Sequence, residues 1–291
     1  MSNENVSLSQ PEPSVLARVA TNIRAAPLSA KLGLLIILAY AIVAIFAPVL
    51  APYGESEIVG TEFDLPSRMH PLGTDNLGRD MLSRLFWGAR NTVGIALAAT
   101  ILAFLIGGTL GISAVVIGGW GDEILARSAD VFMAIPQLVF ALFLLTMFGV
   151  SIPVLIAVIA FVDSTRVFRL SRALAMNVVH ADFVEVARLR GEKLPWIVLR
   201  EVLPNVTIPL IAEFGLRFCF VFLLISALSF LGLGLQPPTA DWGAMVRENS
   251  TLISYGSMLP LLPALAIALL TVSVNYVVDW FIHLAGGTQD D

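Results

Sequence analysis

Residues 181–204 read ADFVEVARLRGEKLPWIVLREVLP, a charged segment set between long apolar runs. Asp182 stands three residues before Glu185, the spacing of an N-cap and the carboxylate that reaches back to it, so a short helix is expected to open here. Gly191 ends that helix, at a corner where a left-handed backbone is needed. Leu194-Pro195 opens a second helix, because proline fits a first helical turn. This second helix is expected to run to Leu203-Pro204, where apolar sequence resumes. The plain alternative is a solvated charged loop joining two membrane helices.

Composition sets the class. Hydrophobic residues make up 57% of the chain, charged residues 13%, and mean hydropathy is +0.85. A soluble domain carries about 25% charge, so this chain belongs in lipid. Its net charge of −5 argues against a nucleic-acid partner. The single cysteine, Cys219, lies in an apolar run and reads as packing.

A bilayer crossing needs about twenty apolar helical residues. Leu32 to Ala51, Thr92 to Ile117, Val131 to Phe148, Ile208 to Leu235 and Leu259 to His283 meet that need. Ile152 to Val162 is shorter, and it spans only if Asp163, Ser164 and Thr165 face the bundle interior. The helix then continues as RVFRLSRALAM, and the turn FGVSIP (148–153) joins it to the preceding span. The expected architecture is all-α and polytopic, with six transmembrane helices. It divides into a cytoplasmic tail (1–30), a first span (31–51), an extracytoplasmic loop (52–91), a five-helix core (92–283) holding the 181–204 segment, and a cytoplasmic tail (284–291). The polar start reads as a tail, since no short apolar stretch with a cleavage site precedes the first span.

Lysine and arginine give the orientation. With the N-terminus inside, eleven lie in cytoplasmic segments (Arg18, Arg24, Lys31, Arg127, Arg166, Arg169, Arg172, Arg188, Arg190, Lys193, Arg200). Five lie outside (Arg68, Arg79, Arg84, Arg90, Arg247), so both termini are expected in the cytoplasm.

Two further stretches carry pattern. HPLGTDNLGRDMLSRLFWGARNT (70–92) is a turn-rich lead into an amphipathic helix, with Gly73 and Gly78 at turns, beside Thr74, Asp75, Arg79 and Asp80. Leu82, Leu85 and Phe86 supply the apolar face, Arg79 and Arg84 are offset from it, and Trp87 suits a membrane interface. SFLGLGLQPPTADWGAM (229–245) leaves a span through Gly232 and Gly234 and turns at Pro237-Pro238.

The spacing Glu185, Ala187, Gly191, Leu203-Pro204, with Asp182 and Arg188 beside it, resembles the EAA loop of ABC importer permeases. Val186 stands in place of the first alanine, and Glu201 where isoleucine is common. The 70–92 and 229–245 stretches are similar to the C-type permease subunits of the dipeptide, oligopeptide and nickel group. Asp279 stands near the family's terminal aspartate, but the usual basic tail is replaced by VVDWFIHLAGGTQDD. The resemblance implies a type I importer fold in the bacterial inner membrane, and a heterodimer with a second permease subunit. It also implies two ATPase subunits docked on the 181–204 loop, and an extracytoplasmic substrate-binding protein. The 70–92 motif is then a structural brace on the outer surface, a contact for the binding protein, or both. Short peptides are the expected cargo.

Four ionisable residues lie within or at the ends of spans: Asp163, Glu213, Arg217 and Asp279. Glu213 and Arg217 are four apart and share a helix face, either as a neutralised pair or as lining of a path. Gly107 and Gly111 form a GxxxG pair that admits another helix closely. His70, His180 and His283 are too scattered for a metal cluster. The sequence holds no HExxH, nucleophile elbow or phosphate loop, so no cofactor and no catalytic residues are expected. A membrane enzyme should show clustered catalytic side chains. An ion-coupled carrier should show repeats and midplane ionisable residues, and Asp163, Glu213 and Asp279 keep that reading open.

Overall fold

The computed structural model describes residues 22–286. The expected tail 1–30 falls largely outside that range, as does most of 284–291. Described in chain order, the helices are α1 (Leu28–Leu50), α2 (Met81–Ile117), α3 (Gly119–Met133), α4 (Gln137–Phe148) and α5 (Ile152–Val178). The short α6 (Asp182–Leu189) follows, then α7 (Leu194–Phe230), α8 (Trp242–Asn249) and α9 (Leu261–Gly286). Among the described residues, β structure is limited to two isolated bridges, Ile58 with Arg79 and Thr74 with Asp80.

Helices α1, α2, α7 and α9 are each long and apolar enough to cross a membrane, and the bent pair α3–α4 makes a fifth candidate. α5 breaks that pattern with Asp163, Arg166 and Arg169, yet at 27 residues it has the length. It continues well past Val162, as the sequence suggested. α1 leaves Leu35, Leu38, Ile42 and Ile45 exposed, which in lipid costs nothing.

Three expected boundaries differ. The amphipathic stretch 82–86 and the span from Thr92 form one helix of 37 residues with a π turn at Ala89–Val93. That turn accompanies a side contact: Asn91 donates to the Ala240 carbonyl at 2.9 Å, and Thr92 to Asp241. The run Val131 to Phe148 is not one straight helix, because the chain bends by 90° between α3 and α4. Pro136, the N-cap of α4, has φ −54°, the value its ring fixes, and stands at the bend. The third boundary is Leu203-Pro204, which does not end a helix. α7 runs unbroken from Leu194, through a π turn at Ile197–Val202, to Phe230, so it starts before Ile208 and stops short of Leu235. Pro204 cannot donate to residue 200, and the wider turn before it lets Leu203 bond the Val198 carbonyl instead.

The tightest seam joins α2 to α5. A Cβ on Gly107 would collide with the Ser164 carbonyl and lie 2.8 Å from the Phe168 nitrogen; one on Gly111 would lie 2.5 Å from the Phe168 carbonyl. Only glycine lets the two backbones approach this closely. The main core gathers around that seam, with Ala96 and Ala99 of α2, Leu145 of α4, Leu155 and Ile159 of α5, and Phe222 and Ile225 of α7. α1 packs on α9, where a Cβ on Gly33 would lie 2.7 Å from the Ser273 carbonyl. The bundle thus has two ends. One carries α6 and the start of α7, here the foot end; the other carries residues 52–88 and α8, here the loop end.

Candidate functional site

The foot is built from inside outward. Val184 and Ala187 of α6 are fully buried against Ile197, Val198 and Val202 of the π turn and Ile112 and Ala175 of the neighbouring helices. Gly191 has φ +78°, and the Glu192 and Gly191 N–H groups bond the Ala187 and Arg188 carbonyls at 3.2 and 2.9 Å. This is the Schellman closure, and the left-handed residue it needs is the glycine. Arg188 donates to the Val116 carbonyl at 3.2 Å, which ties α6 to the end of α2.

One expectation fails at the start of this helix. Asp182 is the first helical residue and not its N-cap; that place belongs to Ala181, whose side chain accepts nothing. Asp182 and Glu185 instead put two carboxylates into the first turn, where the helix dipole favours negative charge. Both are exposed, as is Arg188. Phe183, Val186 and Leu189 are exposed too, Leu189 at 82%, so α6 presents an apolar and acidic outer face. Leu203 is half-buried and Pro204 exposed within the continuous α7.

At the loop end, Asp75 and Asp80 organise a buried ion cluster. Asp80 caps α2, accepting from the Ser83 N–H at 2.8 Å. Asp75 accepts from Arg79 Nε at 2.8 Å and from Arg84. Both arginines also reach Glu248 of α8, at 3.1 and 3.2 Å. Arg79 and Arg84, expected to stand offset from an apolar face, are therefore almost fully buried; pairing permits this. Thr74 donates to the Thr61 carbonyl at 2.7 Å, while Gly73 and Gly78 turn the loop with left-handed backbones. Asp241 caps α8 through the Ala244 N–H at 2.9 Å and accepts from Thr92 at 2.9 Å. Burial pushes the carboxyls of both Asp241 and Glu248 above their usual range, against the pull of the Ala244 N–H on one and of Arg79 on the other. The 70–92 and 229–245 stretches thus close on each other.

Mid-bundle, Arg217 Nε bonds Glu213 at 2.6 Å, the pairing that the four-residue spacing implied. Asp163 of α5 joins them, with its Oδ1 at 3.8 Å from Arg217. Asp279 does not: it is exposed on α9. Glu248, Asp241 and the Arg172–Asp122 pair, bonded twice at 2.6 Å, escaped the sequence reading. Asp241 had a signal in its cap spacing to Ala244; Glu248, 169 residues from Arg79, had none. Among the described residues no cluster of histidine, cysteine and carboxylates could hold a metal ion. What the arrangement can do is transmit displacement: a stiff foot, a long helix behind it and a braced far end.

Residues 99–285 match the family model described as binding-protein-dependent transport system inner membrane component. A dipeptide transport system permease protein of Alkalihalophilus pseudofirmus is 32% identical over 252 residues, 86% of this chain and 83% of that protein. A di/tripeptide transport system permease protein of Pseudomonas aeruginosa is 35% identical, over 85% of this chain and 84% of its own length. A glutathione transport system permease protein of Pectobacterium atrosepticum is 31% identical, over 85% and 82%.

Proposed function

We infer the function from one premise: this chain belongs to the family of binding-protein-dependent transport system inner membrane components. As such it is a permease subunit of an ATP-driven importer and leaves ATP hydrolysis to partner subunits. We propose that it forms half of a translocation path for di- or oligopeptides, paired with a second permease subunit. Two ATPases sit at the foot end and an extracytoplasmic binding protein at the loop end. The names of the peptide permeases support that cargo.

The observation that carries the coupling role is α6. Its inner face is locked into the bundle by Val184 and Ala187, while Phe183, Val186 and Leu189 are exposed among the described residues. A rigid projection with an apolar, acid-tipped face fits a socket on another protein. ATP-driven closure of the ATPases would move this foot, and α7, continuous with the segment that packs it, would carry the shift inward. The arginine and lysine bias puts the foot end in the cytoplasm. Single cysteines at Glu192 and Glu57, in a Cys219→Ser background, should therefore label oppositely with an impermeant thiol reagent on intact cells.

The reading is tested by assembling the importer in liposomes with its binding protein. Uptake of labelled dipeptide should require ATP inside the ATPase-bearing compartment and should persist when ion gradients are collapsed. Uptake driven by a proton or sodium gradient without ATP would replace this account with ion-coupled transport.

A further inference from the structure

Arg217 stands between two carboxylates and is bonded to one. Its Nε holds Glu213, on its own helix, at 2.6 Å, while its Nη1 stops 3.8 Å short of Asp163 on α5. Among the described residues neither Nη1 nor either Asp163 oxygen has a hydrogen-bond partner, and the Asp163 side chain is fully buried. A charge-assisted N–H···O bond closes at about 2.7–2.9 Å, so the two groups face each other across a gap about 1 Å too wide. Leaving both unmet inside a bundle is costly. The other charges near Asp163 are Arg166, one turn along α5, and Glu213.

The two helices that carry the gap are held differently. α5 is pinned to α2 by the glycine seam at Gly107 and Gly111, so those two move as one body. α7 is the helix that begins at the foot, and Arg217 lies fourteen residues beyond Leu203, about 21 Å along one continuous helix with Pro209 between them. A displacement of the foot that slides the start of α7 along α2 and α5 reaches Arg217 as movement against α5.

We propose that Asp163 is a second anchor for Arg217, forming with Glu213 a two-position latch that is open in this arrangement and closes in another state of the transport cycle. Asp163 is a positioning residue: it acts through Arg217 and sets which packing of α7 on α5 persists. The proposal rests on the importer reading above, since it is the ATPases that move the foot.

The side chains make a directional test. Asp163→Glu adds one methylene, enough to bridge the gap without any helix movement. Asp163→Asn keeps the size and removes the charge. Spin labels at Met176 on α5 and Leu199 on α7, both exposed, report the distance between the helices in the assembled complex, with Cys219→Ser as background. In the parent complex a non-hydrolysable ATP analogue should shift the distance distribution. Asp163→Glu should give the shifted distribution without nucleotide, and Asp163→Asn the unshifted one with it. Both should lower ATP-driven uptake at least tenfold while membrane levels hold. If Asp163→Asn does not assemble, Asp163→Glu decides alone. Parent-like nucleotide responses in Asp163→Glu overturn the latch and leave the importer reading intact. A parent complex with neither nucleotide response nor ATP-driven uptake overturns both.

Discussion

The glycine seam between α2 and α5 makes a quantitative claim about which glycine matters. A methyl at position 111 would stand 2.5 Å from the Phe168 carbonyl and 3.0 Å from both the Arg172 nitrogen and the Ser171 Cβ. The nearest of these is main chain and cannot swing away, so the helix axes must part by about 1 Å to restore ordinary contact; overpacking of this kind costs about 1–3 kcal/mol. Gly107→Ala meets the Ser164 carbonyl and should cost as much. The two are one turn apart on one seam, so the separation forced by the first makes room for the second. Their double variant should lose clearly less than the sum. Gly108→Ala is the control: the nearest atom its Cβ would meet is Ser171 Oγ at 3.9 Å. There the methyl should be neutral or stabilise by up to about 1 kcal/mol, the helical cost of glycine. Purified complex, followed by thermal unfolding, gives the four values. A harmless Gly111→Ala, or strict additivity of positions 107 and 111, would refute the close-packed seam.

Two other predictions concern the ends of the bundle. Gly191 is left-handed at φ +78° with open space where a Cβ would go, so substitution there costs only backbone energy. Asparagine should be mildest, alanine should cost about 1–2 kcal/mol and valine more, and co-purified ATPase should fall in that order at constant membrane level. Equal losses in all three would show that a contact, and not the corner, had been removed. At the loop end, burial raises the Glu248 carboxyl above its usual range. The folded protein then holds that proton more tightly than the unfolded chain, so the stability it lends is full below the ordinary carboxylate pKa and fades as pH rises through the raised one. Glu248→Gln should flatten the melting-temperature profile just above the usual carboxylate range, and because it takes a carboxylate from buried Arg79 and Arg84 it should lower the neutral-pH value as well. A profile with its slope kept would contradict this.

Much of the fold is legible because membrane helices are written in long apolar runs, and the foot is legible because charge in such a chain is rare. Gly191 and the Glu213–Arg217 pair are local features, decided by residues within five positions, and spacing alone reveals them. What spacing misreads is equally local: an Asp three residues before a Glu fits a capping box, yet the helix starts one residue earlier, with both acids in its first turn. Leu203-Pro204 looks like a stop because apolar sequence resumes there; a π turn before it lets the helix run on past the proline. Arg79 and Arg84 read as surface residues because their partner Glu248 lies far along the chain. Asp163 reads as a polar residue facing the bundle interior, and its neighbour Arg217 is identified only when α7 is laid beside α5.

The foot as the docking point for an ATPase is the claim on which the rest depends. Leu189→Cys, at the most exposed apolar position of α6, and Tyr255→Cys, 85% exposed at the loop end, should be placed separately in the Cys219→Ser complex. Treated with a short bifunctional thiol-to-amine reagent, the Leu189 variant should cross-link to an ATPase subunit and lose ATP-driven uptake, and the Tyr255 variant should give no ATPase adduct. An ATPase adduct at Tyr255, with none at Leu189, would contradict the account.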